Sequence, residues 1–364
     1  MDYILLAVVL IYFVIVIGIG YFYYHRSSSL SDYILGGRTL NPYVTALSAQ
    51  ASDMSSWLLM GLPGAILVAG LGEIWIGIGL AIGSYLAWLL IAKRLRVYTE
   101  TSKNSLTLSS FFSNRFRDKK GYLRDVSAII ILVFFTIYVA SGFVGAAKVF
   151  NLIFDDVSNN AAVIIAAVVI VAYTFLGGFK AVCWTDFLQG MLMLVALIIV
   201  PIFAISHLGG WSDVTTIWDH VSTAHFTDIL YDGGEKIGGI ALISLLAWGL
   251  GYFGMPHIVV RYTAIKNPNE MKVARRVATI WIVICLAAAC MVGLVGRAWA
   301  VANPGSITNP ETAFIVMAGG LFATAIAGII YSAILAAVMS TADSQLLVAS
   351  STVSNDLYLR FKKK

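Results

Sequence analysis

The sequence predicts an all-α integral membrane protein of about nine spanning helices, and three observations point to it. Hydrophobic side chains make up 59% of the 364 residues and charged ones only 12%, where a soluble domain has roughly half and a quarter. Nine stretches are apolar over about the 20 residues that a bilayer-crossing helix requires. Two of them are interrupted at mid-depth by glycine, proline and polar side chains, the pattern of alternating-access transporters built from inverted repeats. With 9 Trp, 17 Tyr and 19 Phe against 7 Pro, the chain is neither disordered nor fibrous, and nothing favours nucleic acid as a partner.

Taken in order, the spans fall near 3–24, 42–68, 71–92, 126–150, 160–177, 181–207, 238–262, 277–302 and 312–345. The first begins at Asp2 with no basic leader, runs too long for a signal peptide and has no small-residue cleavage site, so it is expected to be a retained helix. Between the third and fourth spans, the 93–124 loop carries Leu106 to Phe112, apolar enough for a short interfacial helix. No soluble domain or low-complexity linker interrupts the series. Cys183, Cys285 and Cys290 sit in apolar context without paired spacing, so neither a disulfide framework nor a zinc site is expected.

With the N-terminus outside, 21 of the 24 Lys and Arg fall on inside segments. These are Arg26 and Arg38, the run from Lys93 to Arg124, Lys180, the group from Arg261 to Arg276, and Arg360 with Lys362 to Lys364. Only Lys148, Lys236 and Arg297 remain outside, and the longest outer loop, 208–236, carries Asp213, Asp219, Asp228, Asp232 and Glu235 instead. The positive-inside rule then sets the N-terminus outside and the C-terminus inside the cell membrane. Topology accounts for the basic residues.

The second span contains Ser48-Ala49-Gln50-Ala51-Ser52-Asp53-Met54-Ser55-Ser56, followed by Gly61, Pro63 and Gly64, and is expected to be broken. A carboxylate at that depth costs roughly 2.5–3.5 kcal/mol on insertion scales, so Asp53 should face a polar cavity or cap a neighbouring helix. The seventh span repeats the theme in Trp248-Gly249-Leu250-Gly251-Tyr252-Phe253-Gly254-Met255-Pro256. If spans two to six form one unit, the second unit starts at this other broken span. Trp248, Tyr252 and Pro256 are spaced four apart on one helix face, either as packing or as the wall of a ligand site. Tyr138 adds a third hydroxyl-bearing aromatic at mid-span, beside small residues that allow close helix contact. In the last span Ala337, Ser340 and Thr341 share a face. Their hydroxyls either serve a hard cation together with carbonyls of Ala51 and Met54 released by the break, or bond back one turn along their own helix.

Enzyme signatures are missing: there is no H-E-x-x-H, G-x-S-x-G or P-loop, and His25, His207, His220, His225 and His257 are scattered over loops and span ends. Without a P-loop, any uphill work draws on an ion gradient.

Several strings resemble the sodium/solute symporter family, and within it the sodium/proline branch. They are Asp32 to Arg38, Ala51 to Gly64, Phe134 to Gly142, Trp184-Thr185-Asp186, Trp248 to Arg261 and Met339 to Ser344. The resemblance implies a LeuT-like fold, with one extra N-terminal helix (3–24), a first repeat over about 42–207 and a second over about 238–356. It implies a Na⁺ site formed by Ala51, Met54, Ala337, Ser340 and Thr341, with Asp53, Ser55 and Asp186 coupled to the ion. It implies substrate contacts at Tyr138, Trp248, Tyr252 and Pro256, with L-proline and Na⁺ carried together and no organic cofactor. Met255 stands where that branch is expected to have glutamine, which keeps another small solute, or H⁺ in place of Na⁺, as alternatives. The second repeat holds three helices where the family has five, so the chain is expected to be truncated at its C-terminus, and a form that binds without transporting is a further alternative.

Overall fold

The computed structural model describes residues 2–26, 29–154, 157–219, 221 and 223–358. His220, Arg360 and Lys362 to Lys364, which entered the sequence reading, lie outside the described residues. Among the described residues the secondary structure is helical apart from one hairpin of two two-residue strands and an isolated bridge. Among the described residues, six helices are long and apolar enough to cross a membrane, or eight if each bent pair is one span.

Helix α1 (Tyr3–Tyr24) is capped by the Asp2 side chain, which accepts from the amides of Ile4 and Leu5. Helix α2 (Leu30–Leu35) ends at Gly36, and Asn41 caps α3 (Pro42–Met54), with Pro42 at its first position. A π-type turn, Trp57–Gly61, leads into α4 (Leu62–Ala69), bent 62° from α3. Next, α5 (Ile74–Ala87) continues through a second π-type turn into α6 (Lys93–Thr101), well beyond the expected end of this span at residue 92. Near Leu106 to Phe112, where a short interfacial helix was expected, the chain forms the helix α7 (Leu108–Arg115), started by a capping box between Thr107 and Ser110. The fourth span is α8 (Tyr122–Ile153).

The expected fifth and sixth spans join in one assigned helix, α9 (Asn159–His207), whose 49 residues would reach about 74 Å if straight. It is not straight. Gly178 has φ 59°, ψ −159°, a conformation open essentially to glycine alone. Two helices meet at a kink there, and Tyr173 before it and Trp184 after it both lie by the end of α1 near Gly20 to Tyr23.

The next segment holds α10 (Trp211–Asp219) and the strands β1 (Tyr231–Asp232) and β2 (Glu235–Lys236). It is tied to the end of α4 by hydrogen bonds from Gly233 N to Ala69 O and from Leu71 N to Phe226 O, both 2.8 Å. Helix α11 (Gly239–Ala247) passes through a 3-10 turn, Trp248–Phe253, and resumes as α12 (Pro256–Ala264) after a 45° bend. Helix α13 (Met271–Ala302) comes next. The expected ninth span, 312–345, is corrected to two elements, α14 (Ala313–Leu321) and α15 (Thr324–Ser351), because the chain turns extended at Phe322 and Ala323.

Helix α15 lies at the centre, packed on α1, α3, α8 and α9, and 78% of its apolar window is buried. The start of α3 and the end of α12 are joined by a parallel bridge, in which Leu40 N donates to Ala264 O (3.2 Å) and Lys266 N to Leu40 O (2.9 Å). Arg38 and Arg96 reinforce it by donating to the carbonyls of Thr263 (2.6 Å) and Ile265 (2.7 Å). The two broken spans are thereby held side by side and their breaks brought to one level.

Candidate functional site

Each break has a local cause. Beyond Met54 the chain leaves the helix at Ser55, where φ is 38° and ψ −169°, a conformation that costs a non-glycine residue about 1–3 kcal/mol and collects at functional sites. In the other span three glycines weaken the helix before Pro256, which has no amide hydrogen to continue it. Met255 is extended there (φ −64°, ψ 113°).

Between the breaks lies a cavity. Asp53 and Ser55 line it from one break, Trp248, Tyr252 and Met255 from the other, and Tyr138 from α8. The Tyr252 hydroxyl donates to the Asp53 carboxylate, so Asp53 both faces the cavity and binds a partner. Trp57 stacks on Trp248 with ring centroids 6.2 Å apart, an indole pair supplied by both broken spans. Pro256 is not brought into this cavity. It begins α12 and faces a second cavity toward Val259, Leu347 and Thr352, while Met255 takes the place in the lining expected of it.

Four of the five expected ion ligands form one hydrogen-bonded cluster. Ser340 Oγ donates to Ala51 O at 2.9 Å and reaches Ala337 O at 3.2 Å. Thr341 Oγ1 reaches Ala337 O at 3.2 Å and accepts from Ser55 N at 3.1 Å. Each hydroxyl therefore bonds back along α15, and together they also meet the broken end of α3. Met54 ends α3 and lines the cavity beside them, its residue 2% exposed.

Asp186 lies apart from both groups. Completely buried, it accepts from Ser48 (2.6 Å), Ser52 (3.1 Å) and the Arg261 guanidinium (3.1 Å). Arg261 is corrected from an inside-loop charge to a core residue: it is 0% exposed and also donates to His257 O, Ser48 Oγ and Ser344 Oγ. Asp343 extends the network through Tyr173 (2.6 Å) and Ser344 (3.0 Å). Four elements, α3, α9, α12 and α15, are thus tied by one set of charges. Ser52 follows Ala51 directly, which connects Asp186 to the cluster at Ser340. Sequence reasoning missed Arg261, Asp343, Ser48 and Tyr173 as site residues, although a second carboxylate in an apolar span carries the same cost as Asp53 and was a usable signal.

Comparison with known proteins follows the same lines. Residues 33–364 match the Sodium:solute symporter family. The sodium/proline symporter of Salmonella typhimurium is 47% identical over 350 residues, 95% of this chain and 68% of that protein. The high-affinity proline transporter PutP of Bacillus subtilis is 49% identical over 340 residues, 93% of this chain and 71% of that one. Among solved structures, a Na⁺-coupled sialic acid symporter in a substrate-bound outward-open state superposes with a TM-score of 0.82 at 20% identity, covering 100% of this chain and 75% of that one. A nucleobase-cation-symport-1 family transporter in a closed conformation gives 0.57 at 13% identity, covering 92% of this chain and 70% of that one. At such identities the likeness is one of fold.

Proposed function

Because the chain belongs to the sodium:solute symporter family, we propose that it takes up L-proline together with Na⁺ as a multi-pass protein of the cell membrane, N-terminus outside and C-terminus inside. One observation carries this reading: Ser340 on α15 reaches the Ala51 carbonyl at the broken end of α3, beside a cavity walled by Tyr138, Trp248 and Tyr252. Counting α9 as two spans about Gly178 and each bent pair as one gives nine, one before the first repeat (about 42–207) and three in the second (about 238–356). The remaining surface faces lipid.

Na⁺ entering from outside would replace the hydrogen bonds among Ser340, Thr341 and the carbonyls of Ala51 and Ala337 with ion-oxygen contacts, joined by Met54 O. That locks α15 to the broken span, with Asp53, Ser55 and the Asp186 network setting how tightly. Substrate then binds between the breaks, Tyr138, Trp248 and Tyr252 against its ring, with Pro256 beginning the helix beneath it. One Na⁺ moving down about 100 mV supplies roughly 2.3 kcal/mol, and a tenfold gradient adds about 1.4 kcal/mol. Together they support roughly 500-fold accumulation.

The test is Na⁺-dependent binding of labelled proline to the purified 364-residue chain, with Thr341→Ala as control. Binding that requires Na⁺ and is lost in the variant is the expected result; a folded chain that binds no proline, or binds it equally without Na⁺, sinks the reading. Met255 in the cavity lining favours one second reading, a different small solute on the same machinery, and competition by unlabelled amino acids and small carboxylates separates the two.

A further inference from the structure

The polar side chains around the aromatic cavity are largely committed to near neighbours: Asp53 accepts from Tyr252, and Ser55 Oγ accepts from Trp57 N at 3.2 Å. Unspent hydrogen-bonding capacity lies one layer deeper. Gln345, one turn beyond Thr341 on α15, is completely buried, yet neither atom of its amide has a hydrogen-bond partner of normal geometry. His257, the second residue of α12, is 1% exposed, and its Nδ1 has no partner either. Phe135 on α8 meets the His257 ring at 5.5 Å between centroids and Tyr138 meets it edge-on at 6.5 Å. Tyr138 also turns its hydroxyl toward Gln345.

This layer separates two spaces. Tyr138 and Met255 line the aromatic cavity above, while Ile131, Val260 and Val348, on the same three helices, line the second cavity below. Buried polar atoms are almost always satisfied, and each exception calls for a reason. Here the exceptions lie directly behind Tyr138, which lines the aromatic cavity, at the level where α12 begins and its amide dipoles present partial positive charge.

We propose that Gln345 and His257 form the floor of the substrate site and receive the carboxylate of a zwitterionic amino acid. The Gln345 amide nitrogen, the Tyr138 hydroxyl and a protonated Nδ1 of neutral His257 donate to its oxygens, while Asp53, an acceptor only, draws the ammonium group to the opposite side. The Gln345 amide nitrogen and His257 Nδ1 are both spent as donors when the ligand arrives. The assignment rests on the proposed function and specifies which end of the substrate meets which residues.

Binding of L-proline and of L-prolinamide, which lacks the carboxylate, is measured in Na⁺ on the full chain and on Gln345→Leu, Gln345→Asn and His257→Phe. Na⁺ titration followed by tryptophan fluorescence without amino acid reports whether each variant is folded and still binds the ion. The expected result is a rise of about tenfold or more in the proline dissociation constant for Gln345→Leu and His257→Phe, with prolinamide changed less than threefold, the Na⁺ response retained and partial recovery in Gln345→Asn. Equal loss for both ligands, or no change in a variant that still responds to Na⁺, overturns the floor assignment. Failure of the unsubstituted chain to bind proline sinks the functional reading instead, and the floor assignment with it.

Discussion

The hydroxyl of Tyr252 donates to the carboxylate of Asp53 across 199 positions of sequence, joining the two broken spans at their breaks. Each residue answers a problem of the other. Asp53 gains a donor in a place where an unpaired carboxylate is costly, and Tyr252, 1% exposed, satisfies its hydroxyl while its ring faces the cavity.

Removing that hydroxyl leaves the carboxylate without this donor. A hydrogen bond to a charged group is worth about 1.5–3 kcal/mol, so Tyr252→Phe is expected to weaken Na⁺-dependent proline binding roughly 10- to 100-fold. Equilibrium binding of labelled proline to the purified variant checks this, and an unchanged affinity would show that the bond has no part in organising the site.

The Arg261–Asp186 pair makes a prediction about stability rather than ligand. Breaking a buried pair by removing one partner costs about 3–5 kcal/mol, whereas replacing both with apolar groups is often close to neutral. Arg261→Leu should therefore lower the thermal unfolding temperature in detergent more than Arg261→Leu/Asp186→Leu does. Equal losses would mean that Asp343 and the surrounding serines, rather than Asp186, hold the guanidinium.

Helix α5 and the Trp248–Phe253 turn touch backbone to backbone. A Cβ at Gly83 would lie 2.1 Å from the Gly249 carbonyl oxygen, and one at Gly249 would lie 2.0 Å from that of Gly79, a small-residue seam of the kind that joins membrane helices. Gly83→Ala is expected to push the turn outward, carrying Trp248 from Trp57, and so to lower both the unfolding temperature and proline affinity. Cysteine pairs replacing Trp57 and Trp248 would show the displacement as slower cross-linking in the Gly83→Ala background.

Most of the apolar helices, the two breaks and the residues flanking each break were legible in the sequence, because hydropathy and helix-breaking side chains act within one turn of where they occur. Asp53, Tyr252 and Trp248 stood out for the same reason, as polar or bulky groups next to a break. Tertiary structure alone decided what lay between segments. Arg261 read as one more positive charge near a span end, and only the packing of both α12 and α9 on α3 and α15 placed it against Asp186, 75 residues away. Pro256 sat on the expected helix face, yet the bend at Gly254 and Met255 turned it out of the aromatic cavity. Gln345 looked like one polar side chain in a long helix, and its burial beside Tyr138 without a hydrogen bond of normal geometry became visible only in the packed structure. Local sequence sets which bonds the backbone can make with itself; side chains find their partners only when distant helices are brought together.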